Sequence, residues 1–155
     1  MGRIYTVQFN AVSVTAQQDF FEIVAPSDSV VLIHDITLSQ ASEVGDTQEE
    51  GLAILLKSGQ TTSGSGGSAP TPIPRDFGDA AAGLTAEANN TTKATAGTIV
   101  THHAWNWNVR MPFQIIFTPE TRPQLSPSRR ATVELATTPA DAIVVSGTIT
   151  VEEMG

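Results

Sequence analysis

Residues 143–152 read Ile143-Val-Val-Ser-Gly-Thr-Ile-Thr-Val-Glu152, and this stretch decides the fold. In an extended chain Val145, Gly147, Ile149 and Val151 share one face, while Ser146, Thr148, Thr150 and Glu152 share the other. Strict alternation of this kind is the mark of a strand with one face on a core. Working outward, comparable β-branched and aromatic runs occupy residues 3–9, 11–15, 19–24, 29–39, 52–57, 98–109, 112–118 and 131–136. Pro, Gly, Asp and Ser bound them, and helical periodicity is almost absent. About eight or nine strands at this spacing predict an all-β domain, an antiparallel β-sandwich or barrel of jelly-roll type. With 155 residues the chain is expected to form a single domain, 1–155. The alternation leaves the strand order open.

Residues 59–97 break the pattern. They are rich in Gly, Ser and Pro, then in Ala, and predict a long insertion loop without a strand. Asp79 followed by Ala80, Ala81 and Ala82 predicts one short helical turn within 79–88. Ile73, Phe77 and Leu84 are apolar, so the segment is expected to pack as an arm against a neighbouring subunit. Gly64, Gly66 and Gly67 would be its flexible root, and Pro70, Pro72 and Pro74 would keep it extended. As a surface insertion, it should be replaceable by a short linker without unfolding the domain.

Eight Lys and Arg face sixteen Asp and Glu, for a formal net charge of −8. The basic residues are scattered, with only Arg129 and Arg130 adjacent, so a nucleic-acid partner is not expected. No apolar run is long enough to span a membrane. The start, Met1-Gly-Arg-Ile-Tyr-Thr6, has no apolar signal region; Gly2 and Thr6 satisfy the loose myristoylation pattern, but Ile4, Tyr5 and Val7 read better as a strand. There is no cysteine, so neither a disulfide nor a thiolate metal site is expected.

No constellation predicts catalysis. His102 and His103 are neighbours on a strand, so they are expected to point to opposite faces and not to ligate a metal together; His34 and Asp35 are read in the same way. Glu49-Glu50 and Glu152-Glu153 are adjacent carboxylates of the kind usually solvated, not an opposed catalytic pair. The run Ser63-Gly-Ser-Gly-Gly-Ser68 lacks the Gly-Lys-Ser/Thr ending of a phosphate-binding loop. Two formal glycosylation sequons begin at Asn89 and Asn90. Trp105 and Trp107, two apart, share one strand face; they belong to the core or to an interface, or else form a sugar-stacking platform.

Five segments carry a family likeness: Arg3-Ile-Tyr-Thr-Val-Gln-Phe9; Thr61-Thr-Ser-Gly-Ser-Gly-Gly-Ser-Ala-Pro-Thr-Pro72; Asp79-Ala-Ala-Ala-Gly-Leu-Thr-Ala-Glu-Ala-Asn-Asn-Thr-Thr92; Phe117-Thr-Pro-Glu-Thr-Arg-Pro123; and Ser146-Gly-Thr-Ile-Thr-Val-Glu-Glu153. Together they resemble small tailed-phage structural proteins, read as capsid decoration or cement proteins. The resemblance implies a β-rich virion protein, often a homotrimer, that binds the capsid exterior between major capsid protein subunits after assembly in the host cytoplasm. It implies no catalytic residue, cofactor or metal. Candidate interface residues are Ile73, Phe77, Leu84, Trp105 and Trp107. The alternatives are a carbohydrate-binding β-sandwich using the paired tryptophans and a cupin-like enzyme, for which the His-x-His spacing is missing.

Overall fold

The computed structural model describes residues 2–42 and 49–155; most of the acidic loop at 43–51 therefore lies outside the described residues. The described residues form eleven strands: β1 (Arg3–Val14), β2 (Gln18–Val24), β3 (Val30–Gln40), β4 (Gly51–Thr62), β5 (Ile73–Pro74), β6 (Thr85–Asn90), β7 (Thr95–Asn108), β8 (Phe113–Ile116), β9 (Gln124–Leu125), β10 (Arg130–Leu135) and β11 (Ile143–Met154). They form two antiparallel sheets, one in the order β5-β1-β11-β3-β8 with β9 also on β3, the other in the order β6-β2-β10-β4-β7. Setting aside β5, β6 and β9, eight strands remain. They run β1-β11-β3-β8 and β2-β10-β4-β7, which is the interleaving of a jelly roll.

The inward faces of both sheets make one core. Tyr5, Val7 and Phe9 of β1 meet Ile36 and Leu38 of β3, Ile149 and Val151 of β11, and Phe20 and Phe21 of β2. Phe9 lies 5.9 Å from Phe20 and 5.2 Å from Phe21, ring centre to ring centre. Gly147 interrupts the β11 apolar face because a Cβ there would sit 2.8 Å from the Phe9 ring and 2.9 Å from Leu38. The small residue makes room for a large neighbour.

The segment 59–97 is not a strandless loop. The end of β4, the whole of β5 and β6, and the start of β7 all lie within it. No helical turn forms at 79–88; Thr85–Asn90 pairs with β2 instead. Ala86 and Ala88 are buried against that strand, where sheet pairing overrides the helix propensity of alanine. Within the chain the segment packs on its own domain. Leu84 is buried in the core. Residues 63–69 fold back over the outer face of the second sheet, with bridges Ser65–Thr92 and Ser68–Ala88. Gly67 is a close-packing residue there, not a flexible root: a Cβ would collide with the Ala88 carbonyl oxygen.

Buried carboxylates hold this fold-back in place. Glu22 accepts from Ser63 Oγ at 2.8 Å and the Gly64 N–H at 2.9 Å, and Arg130 Nε lies 2.7 Å from it. Asp19 accepts the Ala94 N–H at 2.8 Å. Glu134 sits between Lys57 at 2.7 Å and Lys93 at 2.9 Å. Burial works against the Glu134 carboxylate, but the two ammonium groups outweigh it and hold its pKa below the usual range. Asp19 has no such pair of partners. Burial, followed by the nearby charges of Glu134 and Glu22, pushes its pKa up to about 6, against the opposing pull of the Ala94 N–H and Lys93.

Candidate functional site: the β7–β8 margin

Among the described residues β7 is the longest strand, and it is an edge strand paired there with β4 alone. On the other sheet the corresponding edge is β8, only four residues long. A jelly roll brings these two edges side by side, and the short β8 leaves much of β7 uncovered. Every residue from Thr95 to His102 is exposed, including Ile99 and Val100. Ile116 of β8 is 70% exposed, and Met111 in the connecting turn is exposed as well. A long edge with free backbone groups and apolar side chains is a ready surface for association.

Further along β7 the side chains close the gap between the sheets. Trp105 is half-buried against the core, edge-on to Phe113 at 5.6 Å. His103 stacks parallel to the Trp105 indole, centres 5.2 Å apart, and also meets Phe117 at 5.4 Å. Trp107 is 1% exposed, and its Nε1–H donates to the Met111 carbonyl at 2.7 Å. The two tryptophans do share a face, but it is the inward one. One ring is in the core and the other, half-buried, carries a histidine on its face.

His102 and His103 do not part to opposite faces as their adjacency predicts. Leu56 pairs with His103 and Lys57 with Thr101, so His102 is the extra residue of a β-bulge. The bulge turns both histidines toward one pocket of about 240 Å³. Ile33, Leu56, Leu125 and Ala131 supply its apolar lining; Ser58, Thr121 and Gln124 add polar groups. His102 Nε2 lies 2.6 Å from Ser58 Oγ. Among the described residues no carboxylate hydrogen-bonds to His102, so the orienting acid of a hydrolytic triad is missing. Among the same residues no three His, Asp or Glu side chains gather as a metal set.

His34 lies elsewhere, 2.7 Å from Glu152. Burial disfavours the Glu152 carboxylate, but the Gly2 N–H at 2.8 Å, His34 and Arg122 more than offset it and lower its pKa. Asp35 accepts from Thr150 Oγ1 at 2.9 Å. These contacts join β1, β3 and β11.

The five candidate interface residues are not brought together. Leu84 and Trp107 are buried in the core, and Trp105 lines the β7–β8 margin. Ile73 and Phe77 are exposed at the opposite edge of the sandwich, beside β1. Sequence reading missed Ile99, Val100 and Ile116, because an apolar residue on a strand counts as core until the sheet order shows which strand is an edge. No protein-family model, no curated protein and no solved structure matches this chain.

Proposed function

We propose that the chain is a non-catalytic virion protein that decorates the exterior of a tailed-phage head, stabilising contacts between major capsid protein subunits as a homotrimer. The single observation that carries this reading is the uncovered β7–β8 margin, with Ile99, Val100 and Ile116 exposed along an edge strand. The five family-like segments favour a major capsid protein as the partner. Backbone pairing along such an edge gives a protein partner affinity without a catalytic group, and the apolar side chains add register. The acidic, weakly charged composition suits a protein partner better than a nucleic acid.

The test is co-sedimentation with heads assembled from a candidate major capsid protein of the genome that encodes this chain. The wild-type chain should pellet with the heads and raise their melting temperature. Val100→Lys should lose both effects while its own melting temperature stays within a few degrees, because the side chain is exposed. Heads that neither bind the wild-type chain nor gain stability from it would refute the proposal.

A further inference from the structure

Phe77 has the most exposed large hydrophobic side chain among the described residues, at 92%. It does not sit on a loose loop. The Asp79 N–H donates to the Asp76 carbonyl at 2.9 Å, and the Gly78 N–H to Asp76 Oδ1 at 3.0 Å. The Arg75 N–H donates to the Ile4 carbonyl at 2.8 Å, tying the turn to β1. A phenyl ring held out in water on a hydrogen-bonded turn has the form of an anchor awaiting a pocket, the part that carries most of the energy in many interfaces.

The histidine-lined pocket is the matching half. An apolar cavity of about 150 Å³ is enough to hold a benzene ring. At about 240 Å³, with Leu56, Leu125 and Ala131 in its lining, this pocket takes a phenyl side chain. Ser58, His102, Thr121 and Gln124 offer hydrogen-bond donors there, and Phe77 is preceded by the exposed carboxylate of Asp76. The two halves lie on opposite sides of one molecule. Phe77 follows β5 at one edge of its sheet; the pocket lies by β3 and β9, with β1 and β11 in between. Three strand spacings of about 4.8 Å separate β5 from β3, too far for the turn to fill its own pocket.

The geometry points to a head-to-tail contact in which Phe77 of one copy enters the pocket beneath His102 and His103 of a second copy. The contact uses two different surfaces, so it propagates, and it closes into a ring wherever the rotation per step allows. It rests on the reading of the β7–β8 margin as an association surface and names the occupant of its pocket.

Two variants test it by light scattering at high micromolar concentration. Phe77→Asp removes the anchor and keeps the pocket; Gln124→Trp blocks the pocket and keeps the anchor. Both positions are exposed, so both variants should fold, with wild-type circular dichroism. Each alone should be monomeric where the wild type is oligomeric. Mixed, they should form a one-to-one dimer and nothing larger, since only one anchor and one pocket remain. Phe77→Ala should weaken wild-type assembly at least tenfold. A monomeric wild type, an oligomeric Phe77→Asp, or a mixture that stays monomeric would each overturn the contact. The capsid reading is scored separately. A monomeric wild type that still pellets with heads sinks this contact and the trimer but leaves the decoration role standing, whereas a ring that ignores heads sinks the decoration role alone.

Discussion

Asp19 offers a direct measurement of what the fold-back costs. Asp19 is 2% exposed, with one backbone donor, and Glu134 and Glu22 nearby. The folded pKa of about 6 stands above the ordinary 3.8. The native state therefore binds the proton more tightly than the unfolded chain. Stability from this group is fully present below about pH 4 and is lost as pH rises through 6. A gap of roughly two pH units is worth about 3 kcal/mol, an upper bound on the penalty at neutral pH. Asp19→Asn keeps an oxygen for the Ala94 N–H and removes the charge. At pH 7.5 the variant should be more stable than wild type by about 1–3 kcal/mol, the lower end reflecting the lost attraction to Lys93 and the extra amide donors. For a domain of this size that is a rise of roughly 3–10 °C in melting temperature. At pH 4 the two proteins should melt together. Urea denaturation at both pH values gives the difference directly, and other carboxylates cancel in the comparison. An Asn variant that is less stable at pH 7.5, or one whose advantage is the same at both pH values, would refute the reasoning.

Trp107→Ala should cost about 3–5 kcal/mol in denaturant, because a large ring leaves a packed core and strands the Met111 carbonyl. Glu22→Ala should cost a similar amount, since it leaves Arg130 partly buried without its anion; calorimetry at pH 7 would show it, and a loss under 1 kcal/mol would mean the pair is solvated. Replacing residues 62–95 by a short linker should abolish cooperative unfolding, as it removes β6 and Leu84 and uncovers Glu22 and Asp19.

The eight strands of the jelly roll were legible because their residues alternate or run apolar, as in Ile36-Thr-Leu38 and Val145 to Val151. β6 was not. Thr85-Ala-Glu-Ala-Asn-Asn90 has no β-branched residue after its first position, and its strand state comes from pairing with β2, a contact far away in sequence. The polar end of β4, Ser58 to Thr62, was missed for the same reason: its hydrogen bonds to β7 hold it extended, not its side chains. The site suffered most at His102. Alternation assumes an unbroken ladder, and one bulged residue reverses the conclusion about which side chains meet. Phe77 and Ile73 could be singled out as apolar residues in a polar stretch, yet only the sheet order shows that they lie opposite Trp105.

The placement of β11 bears on how the protein is made. The domain's last strand lies at the centre of its sheet, between β1 and β3, and the late strand β10 likewise separates β2 from β4. While the ribosome is still translating, β1 and β3 have emerged with an empty slot between them, and neither sheet can close. Nearly every stabilising pairing joins segments distant in the chain, so folding waits until β11 has been made and then proceeds slowly, as non-local sheets do. A chain stalled before residue 143 would leave the facing edges of β1 and β3 open, a template for aggregation that β11 fills in the complete fold.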